Sequence, residues 1–285
     1  MARTTKPRRR SYTPEQRAER ARLDGELRDR AARTIAGDGA AVGDFIREAV
    51  GGMSPRILGY SLNNQVLLME QAEERGIPLR DVDTLKGWRT RGRAVRKGET
   101  GLRINRPLGA GDDEAKGNQD EAPTVRQLVD DRDGGQPVRF AMMSVFEVSQ
   151  TDVVAAEEGC QDCGAEAKQR CTPLCACEAC AFDGFALDDG DAADLLWNNL
   201  FEQVVRAGYA FDWPADVDTL AGNRVRVDHD AQAVRVAMSV TAEDTEALAE
   251  IAAALAQILA RAAQDKADRR AEIPQQRQAE LPATR

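Results

Sequence analysis

Residues 108–137 constrain the fold more than any other part of this chain. They are acidic and glycine-rich, with few apolar side chains, so they cannot contribute a core and read as a loop or linker. The segments on either side alternate apolar with polar residues, the pattern of half-buried strands. Leu102 and Ile104 alternate with Arg103 and Asn105, and Val138, Phe140, Met142 and Val145 resume the pattern, with an irregularity expected at Met143. The linker is therefore expected to be an insertion between two strands of one sheet. Aromatic residues are only 5% of the 285, so the core must rest on Leu, Val, Ile and Ala.

Helical signals precede the strands. Thr13, Pro14 and Gln16 form a capping-box start for a charged, alanine-rich helix over 13–36, expected to be largely solvated. A more apolar helix follows over 44–50. Ser61 can cap an amphipathic helix over 61–74 that carries Leu62, Val66, Leu67, Leu68 and Met69, stopped at Gly76 and Pro78. Residues 85–107 read as a turn plus two strands, because Gly92, Gly98 and Gly101 argue against a helix and 97–101 suits a hairpin connection. Further on, 192–207 reads as a helix, 224–236 as a short hairpin around Asp228, His229 and Asp230, and 241–268 as a long alanine-rich helix.

The expected architecture is α+β: N-terminal helices packed on a small, mostly antiparallel sheet, then a cysteine-rich zinc knuckle, then a smaller α+β C-terminal domain. The boundaries are 1–39 for a basic tail and solvated helix, 40–152 for the first domain, 153–184 for the knuckle, 185–265 for the second domain and 266–285 for a disordered tail.

Charge is unevenly distributed. Residues 1–110 sum to +9, so residues 111–285 carry −18 of the total −9. A basic part on an acidic chain points to a polyanion partner for that part alone. Arg3 to Arg10 is a short cationic tail; the second cluster is Arg89, Arg91, Arg93, Arg96, Lys97, Arg103 and Arg106. Binding a single nucleic-acid strand needs cations to follow phosphates and flat side chains for bases to stack on. Trp88 directly precedes Arg89, Arg91 and Arg93, whose alternation on a strand would project them from one face. The competing reading makes Trp88 a core residue and the arginines a solvated face. Asn64 either holds the adjacent loop through a backbone group, the favoured role, or contacts a nucleotide. Tyr60 either stacks on a base or packs as a staple beside the helix start.

Four blocks, in order, resemble the N-terminal domain of the ArdC-type antirestriction proteins: Tyr60 to Leu68, Trp88 to Glu99, Pro107, and Val145 to Thr151. They lie within 40–152. The resemblance implies a single-stranded-DNA-binding module of a plasmid-associated protein. It also implies a role in protecting mobile-element DNA during entry or transfer, by occluding a strand laid along Arg89, Arg91, Arg93, Arg96 and Lys97. Arg91→Glu with Arg96→Glu is then expected to abolish oligonucleotide binding and leave the fold intact.

That family usually continues into a metallopeptidase domain with a His-Glu-x-x-His helix. Residues 247–255 are similar to that helix in apolar pattern, but Glu250 and Ala254 stand at the two histidine positions and Ile251 at the general base. Alanine cannot ligate zinc, and no carboxylate remains beside the metal to activate water. The alternative is an unrelated alanine-rich helix. His229 is the chain's single histidine, which excludes any two-imidazole site. No enzymatic activity is expected. A metal-dependent hydrolase would have to be built from carboxylates such as Asp228, Asp230 and Glu250.

Six cysteines lie within 160–180. Cys160 with Cys163 and Cys177 with Cys180 form two Cys-x2-Cys pairs, the spacing of a four-thiolate Zn2+ site, which would be structural because it leaves no open coordination position. Cys171 or Cys175 could replace a member of the second pair; redox-active or idle thiols and a different metal are the other readings. The acidic surroundings favour a protein partner over DNA here, so an adaptor recruiting a protein through the C-terminal half is the second functional reading. Neither a membrane-length apolar run nor a secretory signal is present, and a reducing cytoplasmic location is expected.

Overall fold

A computed structural model describes residues 12–37, 39–50, 52–108, 139–155, 160, 164–171, 189–214, 220 and 223–279. The insertion at 109–138 lies outside them, as do Cys163, Cys175, Cys177 and Cys180. The architecture is α+β, with small sheets among helices.

Helix α1 (Pro14–Gly37) begins at the expected capping box: Gln16 N–H donates to Thr13 Oγ1 at 3.2 Å, and Thr13 N–H donates to Gln16 Oε1 at 3.0 Å. Its first half is solvated, but Leu27, Ala31 and Ile35, spaced by four, bury one stripe of the second half. Helix α2 (Gly39–Val50) and the single turn α3 (Pro55–Leu58) lead to α4 (Leu62–Arg75), which ends at Gly76 in the left-handed conformation with φ 60°. Strand β1 (Val82–Asp83), helix α5 (Leu85–Thr90) and strand β2 (Arg93–Val95) follow.

Strands β3 (Leu102–Leu108) and β4 (Arg139–Glu147) pair antiparallel from Leu102↔Val145 to Leu108↔Arg139, so the insertion joins two neighbouring strands. Pairing is continuous through Ile104↔Met143, without the irregularity expected there. Strand β1 takes the other side of β4. The expected β2–β3 hairpin does not form. Instead β2 pairs antiparallel with β5 (Thr151–Val153), making residues 96–101 a connection between two sheets.

In the C-terminal half, α6 (Asp189–Arg206) precedes a sheet of order β6-β8-β7, built from β6 (Ala210–Asp212), β7 (Val225–Asp228) and β8 (Ala233–Val236). The β7–β8 hairpin falls where the sequence places it, while β6, parallel to β8, is an addition. Helix α7 (Thr245–Ala279) runs past the expected end at 268, so most of the anticipated tail is helical.

The described residues of 189–258 share a core with the N-terminal helices. Leu27, Ile35, Phe45, Ile46, Val66 and Leu67 share one cluster with Leu196, Leu200, Val234, Val236, Leu248, Leu255 and Ile258. Helix α7 is buried almost all round over 247–258, because alanine brings neighbouring backbones close. A Cβ on Gly39 would meet Ala253 Cβ at 3.4 Å, so α2 approaches α7 about as closely as a missing side chain permits. A second cluster joins α3 and α4 to the β1-β4-β3 sheet through Ile57, Tyr60, Leu68, Val82, Leu102, Ile104 and Val145. No described helix is long and apolar enough to cross a membrane.

Candidate nucleic-acid interface

The segment expected to be an arginine-bearing strand begins as a helix. Thr84 caps α5, its Oγ1 accepting from Gly87 N–H at 3.0 Å. Gly87 is required there: a Cβ would stand 1.9 Å from Asp83 Oδ1, so only glycine lets the turn close over that carboxylate. The turn aims Trp88 inward. Its indole has no solvent exposure, and Nε1 donates to the Phe146 carbonyl at 2.7 Å. Trp88 is therefore a core residue, and the expectation that it offers a stacking face for a base is corrected.

The cations that follow are dispersed in place of alternating on one face. Arg89 lies on α5, Arg91 in the turn after it and Arg93 on β2. Arg91 Nη1 sits 2.6 Å from Asp81 Oδ2 and 3.5 Å from Asp83 Oδ2, and its guanidinium carbon lies 4.3 Å from the Trp88 ring centroid. Arg93 Nε donates to Thr151 Oγ1 at 2.7 Å. Arg96 pairs with Glu99 at 3.1 Å and Asp152 at 3.5 Å. Arg103 is mostly buried, its Nη2 2.8 Å from Asp24 Oδ2 and its Nη1 donating to Ser144 Oγ at 2.9 Å. Arg91, Arg96 and Arg103 thus spend charge on the chain's own carboxylates, contrary to their expected availability. Arg89 and Lys97 are exposed and have no ion-pair partner among the described residues. Residues 80–99 still carry seven Lys and Arg against three Asp and Glu.

Asn64 holds its neighbour, the favoured of the two expected roles. Its Nδ2 donates to the Asn105 carbonyl at 2.9 Å and its Oδ1 accepts from Asn105 N–H at 2.8 Å, pinning α4 to β3. Tyr60 is packed into the second core cluster, 5% exposed, so it presents no ring to a base; burial pushes the pKa of its hydroxyl up.

Sequence reasoning missed the buried acids that organise this region. Asp81 is fully buried; desolvation raises its pKa above the ordinary carboxylate range, although Ser54 and Arg91 act the other way. Glu147 is also fully buried. It caps the short 3-10 turn 148–150, accepting from Ser149 N–H at 2.5 Å, while Gln150 Oε1 accepts from Glu147 N–H at 3.0 Å. The Glu-x-x-Gln spacing is a cap signal that was present in the sequence.

Gly164 N–H donates to the Cys160 carbonyl at 2.9 Å, and Cys160 N–H to the Ala165 carbonyl at 2.8 Å, which brings Cys160 beside Gly164 and Ala165. Cys171 is buried, its N–H bonded to the Val153 carbonyl at 3.0 Å, so the segment continues from the edge of the β2–β5 pair. Glu250 Oε2 accepts from Val225 N–H at 3.1 Å, while Ile251 and Ala254 are buried. His229 is half-buried, with Nδ1 2.8 Å from the Tyr209 hydroxyl. Among the described residues no three His, Cys, Asp or Glu side chains are grouped as a metal site would need.

No curated protein and no solved structure matches the chain. Residues 43–146 match the family described as the N-terminal domain of anti-restriction factor ArdC. The match covers α4, α5, β2 and the β1-β4-β3 sheet, and with them every cation from Arg80 to Arg106. Residues 43–146 of this chain are an ArdC-type N-terminal domain.

Proposed function

We propose that the ArdC-type domain binds single-stranded DNA through phosphate contacts and so shields mobile-element DNA, an antirestriction or transfer-associated role. The observation that carries this reading is the cationic surplus of residues 80–99 inside the family-matched segment, with Arg89 and Lys97 turned to solvent. The contacts are electrostatic. Each neutralised phosphate releases counterions, so affinity falls steeply with salt and sequence preference is slight. Trp88 takes no part in stacking, and among the described residues of the matched segment Phe140 on β4 is an exposed ring.

The reading is of a binding protein rather than a hydrolase. At the positions of the peptidase resemblance Glu250 is engaged by a backbone N–H, and Ile251 and Ala254 have hydrophobic surroundings. A structural Zn2+ on Cys160, Cys163, Cys177 and Cys180 would hold the segment that follows the domain; the backbone bonds at Cys160 and the thiolate donor set suit it. The test of DNA binding is a titration of single- and double-stranded oligonucleotides with Arg89→Glu plus Lys97→Glu. The double variant should lose at least about tenfold in single-strand affinity at low salt with an unchanged circular dichroism spectrum. Unaltered affinity would remove this surface from consideration.

A further inference from the structure

Helix α6 carries Trp197, Phe201 and Val205 at four-residue spacing, so they form one stripe. Strand β6 supplies Phe211, and Trp213 follows it. The four rings make a continuous stack: Trp197 and Trp213 centroids are 5.9 Å apart, Trp213 and Phe211 6.1 Å, and Phe211 and Phe201 4.5 Å, with interplanar angles of 28°, 21° and 9°. Trp197 and Phe211 rest on the core, whereas Phe201, Val205 and Trp213 remain 37%, 49% and 39% exposed. In a chain so poor in aromatics, four stacked rings with an open face are an unusual use of them. A contiguous apolar patch rimmed by polar residues marks an interaction surface.

The rim selects the occupant. Asp194 is exposed one turn before Trp197 on the same stripe, and it has no ion-pair partner among the described residues. Glu202 is 51% exposed at the side chain and paired to Arg206 at 2.9 Å, while Asp212 projects from the other face of β6, 3.8 Å from Arg235, so the unpaired charge beside the rings is that of Asp194. An acidic rim repels a polynucleotide, and it opposes like charges in a face-to-face pairing of two copies. It complements a segment that is both apolar and basic. We propose that the Trp197–Trp213–Phe211–Phe201 strip docks a cationic amphipathic segment of a partner protein. The partner's apolar side chains lie on the rings, and its Lys or Arg side chains face Asp194 and Glu202. The strip lies outside residues 43–146, and the proposal does not depend on DNA binding by that domain.

The test uses the full chain and a fluorescently labelled amphipathic Lys/Leu peptide as probe, read by anisotropy. Saturable binding is expected, absent for a Glu/Leu peptide of the same pattern. It should weaken about tenfold in Trp213→Ala and in Phe201→Ala, which remove exposed rings at the centre of the patch. Asp194→Lys keeps every ring and should also weaken the Lys/Leu peptide, separating charge recognition from any loss of packing. Failure of the wild-type chain to bind the Lys/Leu peptide overturns the proposal, as does equal binding by all three variants. Oligonucleotide binding lost in Trp213→Ala would reassign the strip to nucleic acid. Dimerisation in sedimentation that Trp213→Ala abolishes would reassign it to a second copy.

Discussion

The Arg91 guanidinium lies over the Trp88 ring and places Nη1 2.6 Å from Oδ2 of Asp81, a carboxylate with no solvent exposure. Arg91 is therefore part of the framework that seats α5 on the sheet. Removing one partner of a buried pair leaves the other charge without compensation, which costs about 3–5 kcal/mol. Arg91→Ala should lower the urea-unfolding free energy by about 3 kcal/mol, since Arg91 itself keeps 28% exposure and water recovers part of the loss. Arg89→Ala should barely move it. A substitution of Arg91 and Arg96 together would weaken oligonucleotide binding by damaging the fold, so it cannot isolate the phosphate-binding surface.

Asp81 also makes stability depend on pH with a definite sign. Its folded-state pKa is raised above the ordinary value of 3.8, chiefly by burial, so folding favours the protonated form. The folded chain then binds more protons than the unfolded chain between the two values. Stability contributed by Asp81 is present below about pH 3.8 and declines as pH rises through the folded-state pKa. Urea melts of the wild type and Asp81→Asn across the mildly acidic range should show the wild type losing ground to the variant as pH increases. A difference that stays flat, or widens in favour of the wild type, would contradict this.

What the sequence revealed and what it concealed follow from the range of the interactions. The capping box at Thr13 and the alternation in β3 are local, and both appear at the residues expected. The insertion at 109–138 leaves β3 and β4 paired because strand pairing depends on the flanking pattern and only weakly on loop length. Helix α5 was illegible for a different reason. Gly92, Gly98 and Gly101 argue against a helix over 85–107 as a whole, yet α5 ends at Thr90, before the first of them, and Gly87 within it leaves room for Asp83 four residues earlier. The pairing of β2 with β5, and of Arg103 with Asp24, joins residues distant in sequence. Spacing alone could place cations on one strand; only the tertiary structure assigns Arg91, Arg96 and Arg103 their carboxylates.

Asn64 provides a way to separate structural from DNA-contacting roles. Its amide satisfies both backbone groups of Asn105, a part-buried residue of β3. Asn64→Ala should destabilise the chain by roughly 1–3 kcal/mol, the cost of leaving such groups without partners. Asn64→Asp retains the acceptor for Asn105 N–H but sets a carboxylate against the Asn105 carbonyl, so it should not rescue the loss. Oligonucleotide affinity measured well below the melting temperature should be unchanged in Asn64→Ala. A specific fall in affinity with unchanged stability would instead make Asn64 a nucleotide contact.

Metal removal tests the cysteine segment. Four thiolates bind zinc as a closed tetrahedron, and the free energy of binding becomes folding energy for a segment with little core of its own. Protein purified under reducing conditions should release one zinc per chain to a colorimetric chelator once its thiols are blocked with a mercurial, and Cys160→Ser should lower the metal content. Cys171 N–H is bonded to the Val153 carbonyl, and Val154 bridges Arg170, so the segment is continuous with the β2–β5 pair. Chelation should therefore increase amide exchange first at 153–171 and spread to β5, leaving α7 protected by its buried alanine-lined face. Metal-free protein with unchanged exchange over 153–171 would show that the thiols hold no structural ion.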